Sequence, residues 1–441
     1  MSTTDLSRRF GRQLSATAVA ALVVLSSCTS NNAGSATASS SISDTTTADT
    51  SSRGATTLSS EAGSLFDETT VHSIEVSFGE DDYAQMLAEF ADTGDKSWIE
   101  AEVTINGTTY ERVGLRLKGN SSLRRVDADA AAEELPWLID LDQFIEGQDH
   151  NGVDEFVVRS NNSATALNEA VALDLLEAAG LSSQQAVATL LSINGSDEVL
   201  RLVIEHPDGN WVEDWFGTDG SLYKAESSGD YSYRGEDATA YEDVFDLEAG
   251  DDDALANLTA FLQFINESDD ATFAGELGEH LDVDAFATYL AMMELLGNSD
   301  DIDGPGNNSY LYFDPATHLM TVVPWDMNLT LGVAMGRPDG QGGGGGVAPG
   351  GGGPGQPGGG GGGRLGKSNI LVERFLDVDE FAAAYEKALA SLRADLVESG
   401  LAGDLIAARV EVLTSGASDL VDVDTVSSEA EAVTQALTSR R

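Results

Sequence analysis

The sequence predicts an α+β fold, rich in strands through its first half and in helices through its second. Three observations predict it. Runs of β-type residues meet at Asn106-Gly107 and again at Asn194-Gly195, both strong hairpin signals. Beyond about residue 250, apolar residues recur at helical spacing. With 441 residues, 41% of them hydrophobic, the chain can bury a sizeable core.

The first 63 residues stand apart. Arg8, Arg9 and Arg12 precede the apolar stretch Leu14 to Leu25, which is too short to span a bilayer comfortably. Residues 1–28 therefore read as an export signal. The stretch ends in Leu25-Ser26-Ser27-Cys28, which resembles a bacterial lipobox. Cys28 is the chain's single cysteine, so the expectation is lipidation there, anchoring the chain to the extracytoplasmic face of the cell membrane. A single cysteine also excludes internal disulfides and cysteine-rich zinc sites. Residues 29–63 read as a disordered tether: 18 of the 32 residues from 29 to 60 are Ser or Thr, and little apolar surface is present to offset chain entropy.

The remaining elements follow in order. Val71 to Phe78 reads as a strand, Asp81 to Phe90 as a short helix, and Ala101 to Ile105 with Tyr110 to Leu117 as the first hairpin. Lys118 to Ser122 breaks the pattern, and Leu135 to Leu141 resumes it as a strand. Ala166 to Ala179 is an amphipathic helix stopped by Gly180. Ala186 to Ile193 and Val199 to Ile204 form the second hairpin, which runs into Glu205-His206-Pro207-Asp208 and a helix near Trp211 to Phe216. Leu255, Leu258, Phe261, Leu262 and Ile265 share a helical face behind Asp251 to Asp253. Val283 to Leu296 is a helix capped by Asp282 and stopped by Gly297. Two strands, Tyr310 to Phe313 and Met320 to Pro324, lie before a loop of 19 glycines in the 31 residues 336–366. The region from Asn369 onward reads as helices.

Charge narrows the partners. With 75 acidic and 23 basic side chains, the net charge is −52. Nucleic acid is excluded as a partner, because binding phosphate polymers needs clustered Lys and Arg. The five histidines are scattered, which disfavours a zinc enzyme. Gly361 to Ser368 formally matches a P-loop, but glycine and proline precede it where a buried strand is needed, so the match is rejected.

One constellation carries chemistry. Asp303 is followed five residues later by Asn308; two short strands then lead to Trp325-Asp326. A helix, an Asp-x4-Asn loop, a hairpin and an Asp is the order of a protein-kinase active site. In that order the first Asp accepts the hydroxyl proton, and the Asn and last Asp hold Mg²⁺. Phosphoryl transfer is mostly positioning and charge neutralisation, so hard oxygen ligands are required. Glu169 lies on the one long helix of the first half, where kinases place the acid that pairs with the nucleotide-binding base. A bilobal protein-kinase-like fold follows, with an N-lobe over about 64–206 and a C-lobe over about 207–441. A plain solvated acidic turn at Asp300, Asp301 and Asp303 is the competing reading.

Gly114-Leu115-Arg116-Leu117-Lys118-Gly119-Asn120-Ser121-Ser122 resembles the opening signature of the CotH-type family of secreted atypical protein kinases, first known from spore coats. Asn308 to Tyr312 and Val323 to Gly332 resemble its closing motifs; Asn151 to Phe156, Leu167 to Ala170 and Leu222 to Lys224 match its middle segments. The resemblance covers about residues 70–400. It implies a kinase-like fold with Asp303 catalytic and Asp326 holding metal; the general kinase pattern adds Asn308 as a metal ligand. The implied activity is transfer of the ATP γ-phosphoryl group, with Mg²⁺ or Mn²⁺, to Ser or Thr of a protein substrate. Lys118 and Arg116, with Lys224, would face the nucleotide, and Glu169 would orient one of them.

Three departures qualify the resemblance. Glu133-Glu134-Leu135-Pro136-Trp137 lacks the lysines the family usually carries there, Asn328 replaces a second acid after Trp325-Asp326, and Asn168 replaces an Arg. They sustain an alternative of another class, a non-catalytic surface-binding or scaffold lipoprotein on a degenerate kinase fold.

Overall fold

The computed structural model describes residues 58–59, 63–119, 121–123, 126, 130–217, 220–227, 229–251, 254–305, 307–333 and 369–439. These all fall within one unit, Ser52–Arg441. The expected signal segment with Cys28, most of the tether, Asn120 and the glycine-rich loop lie outside the described residues.

Seven strands close into a barrel: β1 (His72–Phe78), β2 (Ile99–Ile105), β3 (Thr108–Leu117), β4 (Trp137–Asp140), β5 (Glu155–Val158), β6 (Ala186–Ile193) and β7 (Val199–Glu205). Their order around it is β1-β2-β3-β4-β5-β7-β6. Every pairing is antiparallel except the closing one, in which β6 runs parallel to β1. Both expected hairpin turns form. Asn106 and Gly107 have φ of 49° and 84°, Asn194 and Gly195 of 50° and 75°, the left-handed pairs that suit the twist of two-residue turns. Each turn also fastens β1: Ser73 N–H donates to Asn106 Oδ1 at 3.0 Å, and Phe78 N–H to Asn194 Oδ1 at 2.9 Å.

Along β2 buried residues alternate with exposed or half-exposed ones, so one face lines the barrel. Val103, Leu115, Trp137, Ile139, Phe156 and Val203 fill the interior and are fully buried. Each such side chain contributes about 1.5–3 kcal/mol of apolar burial. β4 is buried at every residue, because Leu138 joins the core around α2 (Leu167–Ala178) while Trp137 and Ile139 face inward. The sequence reading contains no strand at β5: it is four residues long and buried on both faces, so neither length nor alternation marks it.

The helix α1 (Glu80–Thr93) lies between β1 and β2, and α3 (Gly209–Phe216) follows β7. The second half is helical as expected, but it also carries a sheet. β8 (Ser221–Ala225), β9 (Phe245–Ala249), β10 (Ser309–Phe313) and β11 (Met320–Pro324) form an antiparallel sheet in the order β11-β10-β8-β9. The α-helices of this half are α4 (Ala254–Glu267), α5 (Asp270–Glu276), α6 (Val283–Leu296), α7 (Ile370–Asp377), α8 (Asp379–Leu392), α9 (Leu401–Gly416) and α10 (Val423–Ser439), among the described residues. Asp282 caps α6 by accepting from Ala285 N–H at 2.9 Å, and Gly297 ends it at φ 66°. Among the described residues no helix is long and apolar enough to cross a membrane.

Candidate active site

The β10–β11 hairpin organises the site. Ser309 pairs with Pro324, so Asn308, just before β10, and Asp326, just after β11, emerge at the same end of the sheet. Asp326 adopts φ 59° and ψ 65°, a left-handed conformation that non-glycine residues hold only when their surroundings enforce it. Its carboxylate forms an ion pair with Arg159, the residue directly after β5. Arg159 also grips Glu169 on the first turn of α2, through Nη2 to Oε1 at 2.9 Å and Nε to Oε2 at 3.2 Å. One guanidinium therefore joins the barrel, α2 and the Asp326 turn. Burial pushes the Glu169 carboxyl up to about 7 against the pull of Arg159, and Asp326 adds to the rise. Burial works against the Arg159 charge, yet Asp326 and Glu169 hold its pKa above the ordinary value.

Glu169 does not meet Lys118, Arg116 or Lys224 in this arrangement, which corrects the expected pairing. The short strand β5 delivers Arg159 to it instead. The sequence signal for Arg159 is a basic residue closing Glu155-Phe156-Val157-Val158, legible only once that segment is read as a strand.

The three expected nucleotide-facing bases share a second group of charges. Lys118 Nζ lies 2.5 Å from His206 Nε2, and His206 Nδ1 meets a carboxylate oxygen of Glu155. Burial pushes Lys118 down to about 8, with Glu248 opposing and Lys224 and Arg116 adding to the fall. Burial, then Lys118, also lowers His206 well below its usual value. Burial raises Glu155 to about 7 against Lys118 and Arg116. Lys224 pairs with Glu226 and lies 3.8 Å from Asp246 across the β8–β9 ladder. The Arg116 guanidinium stacks 4.7 Å from the centre of the Trp98 ring, and its buried Nε has no hydrogen-bond partner among the described residues. Lys96 joins the group: burial and then Lys224 depress its pKa. Tyr310 links the two groups. It is fully buried against Trp325, and its hydroxyl has no partner among the described residues. Burial raises its pKa first of all, and charges from both groups, Glu248 and Asp326 among them, add to the rise.

Asp303 sits in a third, tightly built loop. Its carboxylate accepts from Asn369 N–H at 2.5 Å, at the start of α7, and its own N–H donates to Asp301 Oδ1 at 3.1 Å. A side chain at Gly304 would bring its Cβ to 2.5 Å from Asp300 Cα, so only glycine fits this close approach. Asn308 Nδ2 donates to Asp300 Oδ2 at 3.1 Å. Asp303 is 4% exposed.

Among the described residues no three His, Cys, Asp or Glu side chains converge as a metal cage. The donor set still suits Mg²⁺ or Mn²⁺ arriving with a nucleotide. Mg²⁺ keeps several waters and takes one or two protein oxygens together with substrate phosphates. Asp326 and Asn308 offer such hard oxygens at one end of the hairpin.

Comparison with known proteins matches these elements. The family model described as "CotH kinase protein" matches residues 115–433, from β3 into α10. The "Inner spore coat protein H" of Bacillus subtilis (strain 168) is 25% identical over 224 residues, covering 50% of this chain and 56% of that protein. The chain thus spans about half the length of the curated relative it matches. With the family match covering well over half of its residues, the chain belongs to the CotH kinase protein family.

Proposed function

We propose that this chain is an atypical protein kinase that transfers the γ-phosphoryl group of ATP to Ser or Thr of a protein substrate. The barrel half, about 64–206, would be the N-lobe of a bilobal kinase-like fold, and about 207–441 the C-lobe. The observation that carries the reading is Arg159 held between Glu169 and Asp326. A kinase ties a strand-borne, nucleotide-binding Lys to a helix acid beside the metal-binding Asp; here Arg159, directly after β5, would take the place of that Lys, with Glu169 on α2 and Asp326 after β11 as the two acids. Asp303 would accept the hydroxyl proton. Asp326 and Asn308 would hold Mg²⁺ or Mn²⁺, which when bound neutralises phosphate charge. Arg159 would face the phosphates, while Lys118, Arg116 and Lys224 would meet the rest of the nucleotide. For the expected location, Cys28 would carry the lipid that holds the chain on the extracytoplasmic face of the membrane; labelled palmitate entering the wild type but not Cys28→Ser supports it.

The test is incorporation of label from γ-labelled ATP with Mn²⁺ by wild type and Asp326→Ala. Wild type should label and the variant should fall by at least about 100-fold, the scale of losing one preorganised charge contact. Equal labelling in both would remove the metal role from Asp326. A second reading, the non-catalytic scaffold, draws on Asp303 and Asp326 both being engaged by protein partners. No labelling, with no thermal shift on adding ATP and Mn²⁺, would favour it.

A further inference from the structure

Helix α2 carries Glu169 but lacks a cap of its own. The residue before it, Ala166, has φ 53° and no side-chain oxygen. Hydroxyls just before the helix take its place, and a carboxylate from far along the chain holds them. Ala166 N–H donates to Ser163 Oγ at 3.0 Å, and Leu167 N–H to Thr165 Oγ1 at 3.2 Å. Both hydroxyls then donate to one carboxylate, that of Glu429 on α10. Ala164 N–H and Thr165 N–H donate to it as well, at 2.8 and 3.2 Å. Four donors from three consecutive residues converge on Glu429, 264 residues further along the chain. A carboxylate at a helix N-terminus also meets the positive end of the helix dipole.

The other side of α2 faces the Asp326 turn. Next to Glu169, Asn168 Nδ2 donates to the Asn328 carbonyl at 3.0 Å, and Glu169 reaches Asp326 through Arg159. Further along α2, buried Asp174 pairs with Arg409 of α9. The helix is thus gripped by the C-terminal helices and in turn grips the turn that holds Asp326.

From this geometry we infer that Glu429 is a positioning residue. Through it, α10 sets the placement of α2 and so of the Glu169–Arg159–Asp326 group. The inference rests on the kinase reading for its catalytic consequence, but the mechanical linkage stands apart from it.

Hydrogen exchange and kinetics on the full chain test it, with Glu429→Ala, Glu429→Gln and Glu429→Asp. The amides of Thr330 and Leu331 are hydrogen-bonded, to Met327 and Leu296 carbonyls, and report on the Asp326 turn. Glu429→Ala should speed exchange in residues 163–170 and also at Thr330 and Leu331. It should lower kcat for phosphoryl transfer by about 10- to 100-fold, the effect of a small misplacement, with KM for ATP changed by less than about threefold. Glu429→Gln should fall between, and Glu429→Asp should recover most of the rate. Faster exchange confined to 163–170, with wild-type kcat, would overturn the inference. Should Glu429→Ala fail to fold, Glu429→Gln is read by the same two criteria. A wild type that labels nothing would sink the kinase reading alone, since the exchange at Thr330 and Leu331 still decides the linkage.

Discussion

Arg159 is the residue on which the site turns, and it illustrates how a charge is held inside a protein. Its side chain is 12% exposed, against 3% for Glu169 and 23% for Asp326. Removing it would leave two carboxylates facing each other without a counter-charge. Breaking such a buried pair costs about 3–5 kcal/mol. Arg159→Leu should therefore lower stability to urea by about that amount, and Arg159→Leu combined with Glu169→Leu should recover only the part due to Glu169, because Asp326 still lacks its counter-charge. If the single variant unfolds at the wild-type midpoint, the pairing contributes nothing and the geometry has been overvalued. Glu169, Asp326, Asn308 and Asp303 were singled out in the sequence by their order along the chain. It did not show Arg159, Lys96 or Glu429, because a partner chosen by tertiary packing carries no local pattern.

At the scale of elements, legibility followed periodicity and punctuation. Val283–Leu296 was readable to the residue, since Asp282 and Gly297 bracket a helical repeat. The two Asn-Gly hairpins were readable because the turn demands left-handed residues. β5, β8 and β9 were not: four or five residues allow too few alternations, and β9 is half solvent-facing. Of the expected capping run before α4, Asp252 and Asp253 lie outside the described residues, and the Asp251 carbonyl accepts from Ala254 N–H at 3.1 Å. Asp282→Ala should destabilise the chain by about 1 kcal/mol through loss of the α6 cap. Chemical unfolding checks this, and an unchanged midpoint would mean that tertiary packing alone holds the start of α6.

The whole molecule is acidic, and its buried acids give it an unusual dependence on pH. Burial raises Glu169, Glu155 and Asp140 to about 7, and Asp174 and Asp208 to about 6, from ordinary values of 4.5 for Glu and 3.8 for Asp. Through that window these five acids hold protons in the folded chain that the unfolded chain has released, which makes stability fall as pH rises; His206, held well below its usual 6.5, opposes them as a single group. The net charge of −52 acts in the same direction through self-repulsion. The thermal midpoint should thus be higher near about pH 5.5 than near about pH 7.5. Added salt should shrink only the self-repulsive part of the difference. A midpoint that drops on acidification would contradict the buried-acid account.

The same acidity does not exclude a nucleotide that arrives with a divalent cation. The central claim is that Asp326 holds that cation while Asp303 handles the proton. It is tested most directly by measuring, side by side, label transfer from γ-labelled ATP and the thermal shift on adding ATP with Mn²⁺, for wild type, Asp303→Ala and Asp326→Ala. Asp303→Ala should lose transfer and keep the shift; Asp326→Ala should lose both. Transfer surviving at the wild-type rate in either variant would contradict the account.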